Sequence, residues 1–288
     1  RRTTRAARRR GTPGAIVNLR RREVAPDLVL DDGRLALTAD ADLTDPLLTL
    51  RCARVAAEHD AYLQRGSLER LADNAPVLSD PWPDEAREMF VALLATGPSA
   101  IPVIEDLDHV GLFVQLVPEW EPCRSRPQRN AYHRFTVDRH LMEAAAEASR
   151  LVDRVDRPDL LLVGALFHDI GKGYPGDHTE VGVDLLRTIA TRMGFDADDV
   201  ETLVAMVQHH LLLPDVATRR DLDDDGTIAS VADAVRSSRL LHLLGALPEA
   251  DSIATGPSAW SSWKGGLVDE LVSRVSHVLA GGDVGEVV

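Results

Sequence analysis

The chain has almost no lysine, only two cysteines and no long apolar run. Its 32 basic residues include just two lysines, Lys172 and Lys264, and this arginine-rich, alanine-rich usage is typical of a GC-rich genome. Cys52 and Cys123 form neither a metal-binding pattern nor a disulfide framework, so a reducing cytoplasm is the expected compartment. The longest apolar run, residues 160–167, is too short to cross a bilayer, so no membrane association is expected.

An excess of positive charge is also missing. The chain carries 32 basic and 46 acidic residues, a formal net charge of −14. Binding to a phosphate backbone needs a basic face, so nucleic acid is not an expected partner. With 288 residues, 44% of them hydrophobic and 27% charged, the composition is that of a globular protein with about two domains.

The N-terminal region differs in composition from the rest. Nine of the first 22 residues are arginine, as in a transit peptide, although we favour a segment cut from a longer chain. Residues 27–38 place two apolar runs on either side of Asp32-Gly33, which is typical of a β-hairpin turn. Since a lone hairpin is at best marginally stable, we expect residues 1–45 to be the remnant of a larger domain.

Helical periodicity dominates the remaining chain. Asp45-Pro46 supplies an N-cap and a proline at the first helical position, and helical spacing then continues to about residue 120. Residues 118–130 are polar and contain prolines, which indicates a linker. Beyond it, helices are predicted at 134–154, 158–168, 177–193, 197–211, 227–235, 238–253 and 264–279.

These patterns predict an all-α fold after the hairpin. We expect a helical connecting domain at 46–125 and a second helical domain at 130–281. Residues 282–288 are expected to form a tail.

A histidine-aspartate pair ends the most apolar of the predicted helices. A carboxylate at the position of Asp169, next to His168, is costly to bury unless it is paired or binds a metal. Imidazole nitrogen and carboxylate oxygen together suit Mn, Fe, Co or Zn. Further candidates follow a regular order along the chain, namely His140, His168-Asp169, His178, His209-His210 and Asp251.

Other histidines are assigned structural roles. His242 and His277 fit core or capping positions. His59 also precedes an aspartate, but no long apolar run leads up to it, and His109 suits the C-terminal end of a helix dipole.

The ordered set resembles the HD superfamily of metal-dependent phosphohydrolases, whose pattern is H…HD…D with an additional H…HH in two-metal members. The flanking residues are similar to one family within it, the bifunctional uridylyltransferase/uridylyl-removing enzymes of the nitrogen-regulatory protein PII. An actinobacterial branch of that family adenylylates PII. The motifs that carry the resemblance are YHRFTVDRH at 132–140, HDIGKG at 168–173, GDH at 176–178, EADSIATGP at 249–257 and WSSWK at 260–264.

The resemblance implies a helical HD phosphohydrolase domain with a site for one or two divalent ions, manganese or magnesium. One ion would be held by His140, His168, Asp169 and Asp251. Asp169 would bridge to a second ion held by His178, His209 and His210. Asp169 and Lys172 would be catalytic, with Lys172 neutralising the phosphate or the leaving tyrosinate.

The resemblance also implies the reaction and the partner. Hydrolysis would release UMP or AMP from the modified tyrosine of PII. The family's nucleotidyltransferase motif has no equivalent here, because Gly66-Ser67 is not followed by a paired-carboxylate strand and Asp40-Ala41-Asp42 fits a solvated loop. Residues 1–45 would then be what remains of that transferase domain, and we expect removal of the nucleotide without its transfer.

Three residues are further candidates for substrate binding. His133 lies seven residues before His140, close to two helical turns, and can share its face. Arg219 and Arg220 can bind a phosphate bidentately, or they can equally pair with the acidic run at 221–225.

Two alternatives remain open. The HD site can instead serve a nucleotidase, a cyclic-nucleotide phosphodiesterase or a (p)ppGpp hydrolase, because the metal ligands alone do not distinguish the substrates. The second alternative is a non-catalytic helical module with a filled but idle metal site, which acts as an interaction platform. Bound metal without any turnover would support it.

Overall fold

The computed structural model describes residues 21–128, 134–256 and 258–285. The N-terminal half contains four short strands and five helices: β1 Arg22–Ala25, β2 Leu28–Asp31, β3 Arg34–Leu37, α1 Leu48–Glu58, β4 Tyr62–Leu63, α2 Arg65–Asn74, α3 Asp84–Ala95, α4 Ala100–His109 and α5 Leu112–Leu116. Eight helices follow: α6 Val137–Ala148, α7 Pro158–Phe167, α8 His178–Arg192, α9 Ala197–His209, α10 Leu212–Arg219, α11 Asp225–Val235, α12 Ser238–Thr255 and α13 Ser262–Leu279. Short 3₁₀ turns lie at Gly97–Ser99, Pro118–Cys123, Val152–Arg154 and Ile170–Gly173.

The predicted hairpin is present, and two more strands extend it. Asp31 of β2 pairs with Arg34 of β3, and the intervening Asp32 and Gly33 have φ of 49° and 75°, as a two-residue hairpin turn requires. β1 pairs antiparallel with β2, and β4 pairs parallel with β3, giving the order β1-β2-β3-β4. The hairpin is therefore the centre of a four-stranded sheet, whereas the sequence led us to expect a hairpin without further strands.

Apart from the two-residue strand β4, the all-α character of the remainder is confirmed, with two local differences among the helices. The predicted helix 134–154 ends at Ala148 and continues only as a 3₁₀ turn. The prediction also missed α10, which begins three residues after α9 ends and carries Pro214 in its first turn, where proline is tolerated.

The prediction of a polar linker at 118–130 is wrong for the part Pro118–Cys123. This segment is a 3₁₀ helix whose Trp120 and Cys123 are fully buried. Residues three apart fall on one face of a 3₁₀ helix, so the two apolar side chains both point inward while Glu121 stays exposed. Trp120 packs edge-on against Phe113 with ring centroids 5.0 Å apart.

The first helical region packs directly on α8. The backbone N–H of Trp82 donates to the carbonyl of Arg192 at 2.7 Å, and the Arg87 guanidinium donates to the carbonyl of Gly194. Arg192 in turn donates to the Glu119 carboxylate at 3.0 Å. These bonds join the two helical regions through backbone groups as well as side chains.

Helix α7 is the centre of the second helical region. All residues from Leu160 to Phe167 are buried, so this helix is apolar on every side, as expected of a helix surrounded by others. Helices α6, α9 and α12 pack around it, and α13 packs on α10, α11 and α12.

No single helix in the described part of the chain is long and apolar enough to cross a membrane. One pair of neighbouring segments is long and apolar enough when the two are taken together, namely Asp84–Ala95 and Gly97–His109. The chain bends by 110° at the junction between them.

We expect Trp120→Ala to lower the free energy of unfolding by about 3–5 kcal/mol, because it removes a fully buried indole and leaves a cavity beside Phe113. Trp263 is the matched control, since it is 67% exposed and Trp263→Ala should change stability by less than about 0.5 kcal/mol. Urea denaturation followed by circular dichroism measures both. Equal losses in the two variants would show that the 118–123 segment is not part of the core.

Candidate metal centre

Two adjoining clusters of potential metal ligands lie at the end of α7. In each cluster the ligand atoms all lie within 4.8 Å of one another. The first cluster consists of His140, His168, Asp169 and Asp251, and the second of Asp169, His178 and His210. Asp169 belongs to both.

Five helices bring these residues together. His140 lies on α6, Asp251 lies on α12, and His178 is the first residue of α8. His168 and His210 cap the C-terminal ends of α7 and α9. Because α6, α9 and α12 pack around α7, ligands far apart in sequence meet where the apolar α7 ends.

The two capping histidines are oriented in the same way. His168 Nδ1 lies 2.8 Å from the carbonyl of Ala165, and His210 Nδ1 lies 2.7 Å from the carbonyl of Val207. A carbonyl only accepts, so Nδ1 carries the proton in both rings and the Nε2 lone pair is left for a ligand. The last turn of each helix thus sets the tautomer of its histidine.

The two oxygens of Asp169 face different clusters. Oδ2 lies 3.4 Å from His168 Nε2, and Oδ1 lies 3.7 Å from His178 Nε2 and 3.8 Å from His210 Nε2. Asp251 Oδ1 completes the first cluster at 3.1 Å from His140 Nε2. One carboxylate can therefore contact two ions.

The electrostatics keep the carboxylates ionised despite their burial. Burial favours the neutral acid, but His168, Lys172 and His210 hold the pKa of Asp169 well below its usual range. His168 and His140 overcome burial in the same way and lower the pKa of Asp251.

The pKa values of the two buried histidines shift in opposite directions, although the same carboxylates act on both. Burial alone would lower the pKa of His168, but the carboxylates of Asp169 and Asp251 outweigh it and raise that pKa to about 10. For His210, burial is the dominant influence and its pKa is lowered. A divalent cation competes for the Nε2 position of His168, because proton and metal need the same lone pair.

The donor set fits a divalent metal. His168 is 1% exposed and Asp169 3% exposed, and their Nε2 and Oδ1 atoms make no hydrogen bond within the described residues. Such buried polar atoms without a hydrogen bond are rare and costly, and a coordinated cation would satisfy both. Mixed imidazole and carboxylate ligands suit Mn, Fe, Co or Zn.

A glycine-flanked turn connects the two clusters. A Cβ atom on Gly171 would lie 1.9 Å from the carbonyl oxygen of His178, so only glycine lets α8 begin this close to the turn. Lys172, in the same turn, contacts Asp169 Oδ2 and lies 3.4 Å from the Gln128 side-chain oxygen. Its ammonium is thus placed beside the shared carboxylate.

The other predicted site residues that the structure describes do not belong to the two clusters. His209 is in neither cluster and lines an adjoining cavity of about 290 Å³ with Thr179 and Asp215. Arg219 and Arg220 are exposed, and Arg219 lies 3.5 Å from Asp215. Neither arginine lines the cavity at the clusters. His133 lies outside the described residues.

A cavity of about 700 Å³ opens at the two clusters. Its lining includes side chains that were not among the predicted site residues, namely Arg126, Gln128, Ser252, Thr255 and Lys264. Thr255 lies one helical turn after Asp251 on α12, so that helical spacing was an available signal. Arg126 comes from the segment expected to be a linker, and nothing in the sequence pattern pointed to it.

We expect Gly171→Ala to reduce bound metal, because the added methyl group must push the start of α8, and with it His178, away from Asp169. Gly266→Ala is the control, since a Cβ at this exposed helical position meets no atom within 4 Å and alanine favours the helix by about 1 kcal/mol. Elemental analysis and thermal unfolding measure the two effects. Full metal content in Gly171→Ala would show that this close approach is not needed.

The comparison with protein families places an HD domain at residues 137–237. That range includes His140, His168, Asp169, His178, His209 and His210, and it ends before Asp251. An HD domain is metal-dependent, which agrees with the His/Asp clusters.

Several curated relatives match nearly the whole chain, and each is named a bifunctional uridylyltransferase/uridylyl-removing enzyme. The relative from Streptomyces coelicolor is 52% identical over 263 residues, which cover 91% of this chain and 31% of the relative. The relative from Mycobacterium tuberculosis is 46% identical over 275 residues, covering 95% and 34%. That from Corynebacterium glutamicum is 35% identical over 261 residues, covering 90% and 38%.

The chain thus spans about a third of the length of the relatives it matches. It contains an HD domain and is homologous to the corresponding part of the bifunctional uridylyltransferase/uridylyl-removing enzymes.

Proposed function

We propose that this chain is a metal-dependent phosphodiesterase that removes UMP or AMP from a modified tyrosine of the nitrogen-regulatory protein PII. The observation that carries the proposal is the pair of His/carboxylate clusters that share Asp169 beside a cavity of about 700 Å³. The relatives are named for uridylyl removal, and releasing a nucleotide from a tyrosine is the hydrolysis of a phosphodiester.

The proposed ions are manganese or magnesium. His140, His168, Asp169 and Asp251 would hold one ion, and Asp169, His178 and His210 would hold the second. His209 belongs to the set predicted from the motif but lies outside both clusters. Divalent ions in such a site polarise a phosphate and activate a water molecule near neutral pH.

The cavity suits an anionic substrate of nucleotide size. Sites for small molecules range from about 300 to 1,000 Å³, and this one lies within that range. Three cationic side chains, Arg126, Lys172 and Lys264, line it together with the carboxylates of Asp169 and Asp251. Bound divalent ions would make the cavity strongly positive, which favours a phosphodiester.

Lys172 is placed to assist the departure of the tyrosinate. Its side chain is partly exposed and contacts Asp169 Oδ2, so its ammonium lies between the shared carboxylate and the open cavity. An ammonium there neutralises negative charge that develops on the phosphate or on the leaving oxygen.

Residues 130–281 form the proposed hydrolase unit, and residues 46–125 form a helical unit that supports it. Hydrogen bonds from Trp82 and Arg87 to α8 and the turn after it favour one packed arrangement over two independent units.

A cytoplasmic setting is part of the proposal. Cys52 and Cys123 are both free and buried, and burial raises the pKa of each thiol to about 12.

The direct test incubates the chain with Mn²⁺ and either UMP-modified or AMP-modified PII and measures the released nucleotide. We expect release from at least one form, and we expect Asp169→Ala to reduce it more than about 100-fold because both ions lose a ligand. Asp233→Ala removes an exposed carboxylate from α11 and serves as the charge-matched control.

Parallel reactions with cyclic nucleotides, nucleoside monophosphates and (p)ppGpp distinguish the alternatives. Turnover of a small nucleotide without release from PII would replace the proposed substrate. Bound metal without turnover of any of them would favour an idle interaction module.

The metal content of histidine variants tests the assignment to two clusters. We expect His210→Ala to lower the content from about two ions per chain to about one, because the first cluster does not include this residue. His209→Ala should lower it less, since His209 lies outside the described clusters although it is the adjacent residue. Elemental analysis after dialysis gives the numbers. An equal or larger loss in His209→Ala would show that His209 is a full ligand.

A further inference from the structure

Both lysines of this chain line the cavity at the metal clusters. Every other basic residue is arginine, so Lys172 and Lys264 are the chain's only ammonium groups on side chains. Lys172 lies in the turn after α7, whereas Lys264 lies in the first turn of α13, where Ser261 caps the helix by accepting from the Lys264 N–H at 3.2 Å. Two different elements thus direct an ammonium to the same cavity.

The two lysines differ in their partners. Lys172 contacts the carboxylate of Asp169. Lys264 Nζ instead lies 3.4 Å from Ser252 Oγ and 3.3 Å from the carbonyl of Ala259, and 5.5 Å from the ring centroid of Trp260. No carboxylate of the described residues forms an ion pair with it.

These contacts position the ammonium without neutralising it. A hydroxyl, a carbonyl and an aromatic ring hold a cation in place, but each carries no full negative charge. The side chain is partly buried, so water compensates its charge only in part. The positive end of the 18-residue helix α13 adds to the local potential. The ammonium therefore retains its capacity to bind an anion that enters the cavity.

The position of Ser252 connects this cation to the metal clusters. Ser252 directly follows Asp251 on α12, and it is 8% exposed. Its hydroxyl, close to Lys264, thus comes from the residue beside a ligand of the first cluster. A phosphate held at the clusters would enter the cavity that this lysine lines, while Lys172 is already engaged with Asp169.

We propose that Lys264, positioned by Ser252 and Trp260, binds the phosphate of the nucleotide that is removed. The inference rests on the proposed function and assigns a substrate-binding role to a residue of the WSSWK motif that was not among the predicted site residues. A lysine suits this place because its ammonium is a compact point charge with three donors, which can bind a phosphate oxygen while it keeps its neighbours. Its partner is the phosphate, so a nucleoside should not depend on it.

The test measures equilibrium binding of UMP, AMP, uridine and adenosine to the Mn²⁺-loaded chain by calorimetry. We expect Lys264→Gln to weaken the better-bound nucleotide about tenfold, as for the loss of one charge-assisted hydrogen bond, and to leave its nucleoside unchanged. Lys264→Arg should restore most of the loss. Arg65→Gln removes a positive charge from an exposed helix position away from the cavity and should have no effect.

Manganese content is measured in every variant and should stay at the level of the unsubstituted chain. Unchanged nucleotide binding in Lys264→Gln would overturn the inference while leaving the proposed function intact. An equal loss for nucleotide and nucleoside would also overturn it, because the lysine would then support the shape of the cavity. If the unsubstituted chain bound neither nucleotide, the proposed function would fail together with the inference.

Discussion

The buried carboxylate of Asp169 is the constraint on which the site depends. It follows the fully buried stretch 160–167 of α7 and is itself 3% exposed, so its charge can persist only if cations surround it. His168, Lys172 and His210 supply that environment from three different elements, and the pKa of the carboxyl stays well below its usual range. A divalent cation at each oxygen would satisfy the same requirement more completely.

Several features of the backbone place the residues that surround the Asp169 carboxylate. The last turns of α7 and α9 each bind the Nδ1 of a histidine, which directs Nε2 toward Asp169. The glycine turn that follows allows α8 to begin against it, because any Cβ at Gly171 would collide with the His178 carbonyl. The first helical region holds α8 from its other end through the Trp82 and Arg192 backbones. Support for the site therefore extends well beyond the residues that touch it.

Much of the fold could be predicted because it follows from local patterns. The Asp32-Gly33 turn identified the hairpin, and helical periodicity located most helices of the second half to within a few residues. The features that the sequence did not predict all depend on contacts between segments that are distant in the chain. The parallel pairing of β4 with β3 depends on a contact between distant segments, and the burial of Trp120 and Cys123 depends on what packs over a segment whose local composition is polar.

The sequence by itself determined the order of the histidines and aspartates, the type of chemistry they suit and the helices that carry them. Only the tertiary structure decided which of them meet. It brought His140 to Asp251 across the chain, and it divided adjacent histidines so that His210 faces Asp169 while His209 lines another cavity. It also brought Lys264 to the same cavity as Lys172. The physical reason is that residue type and spacing specify what a side chain can bind, whereas helix packing specifies which way it points.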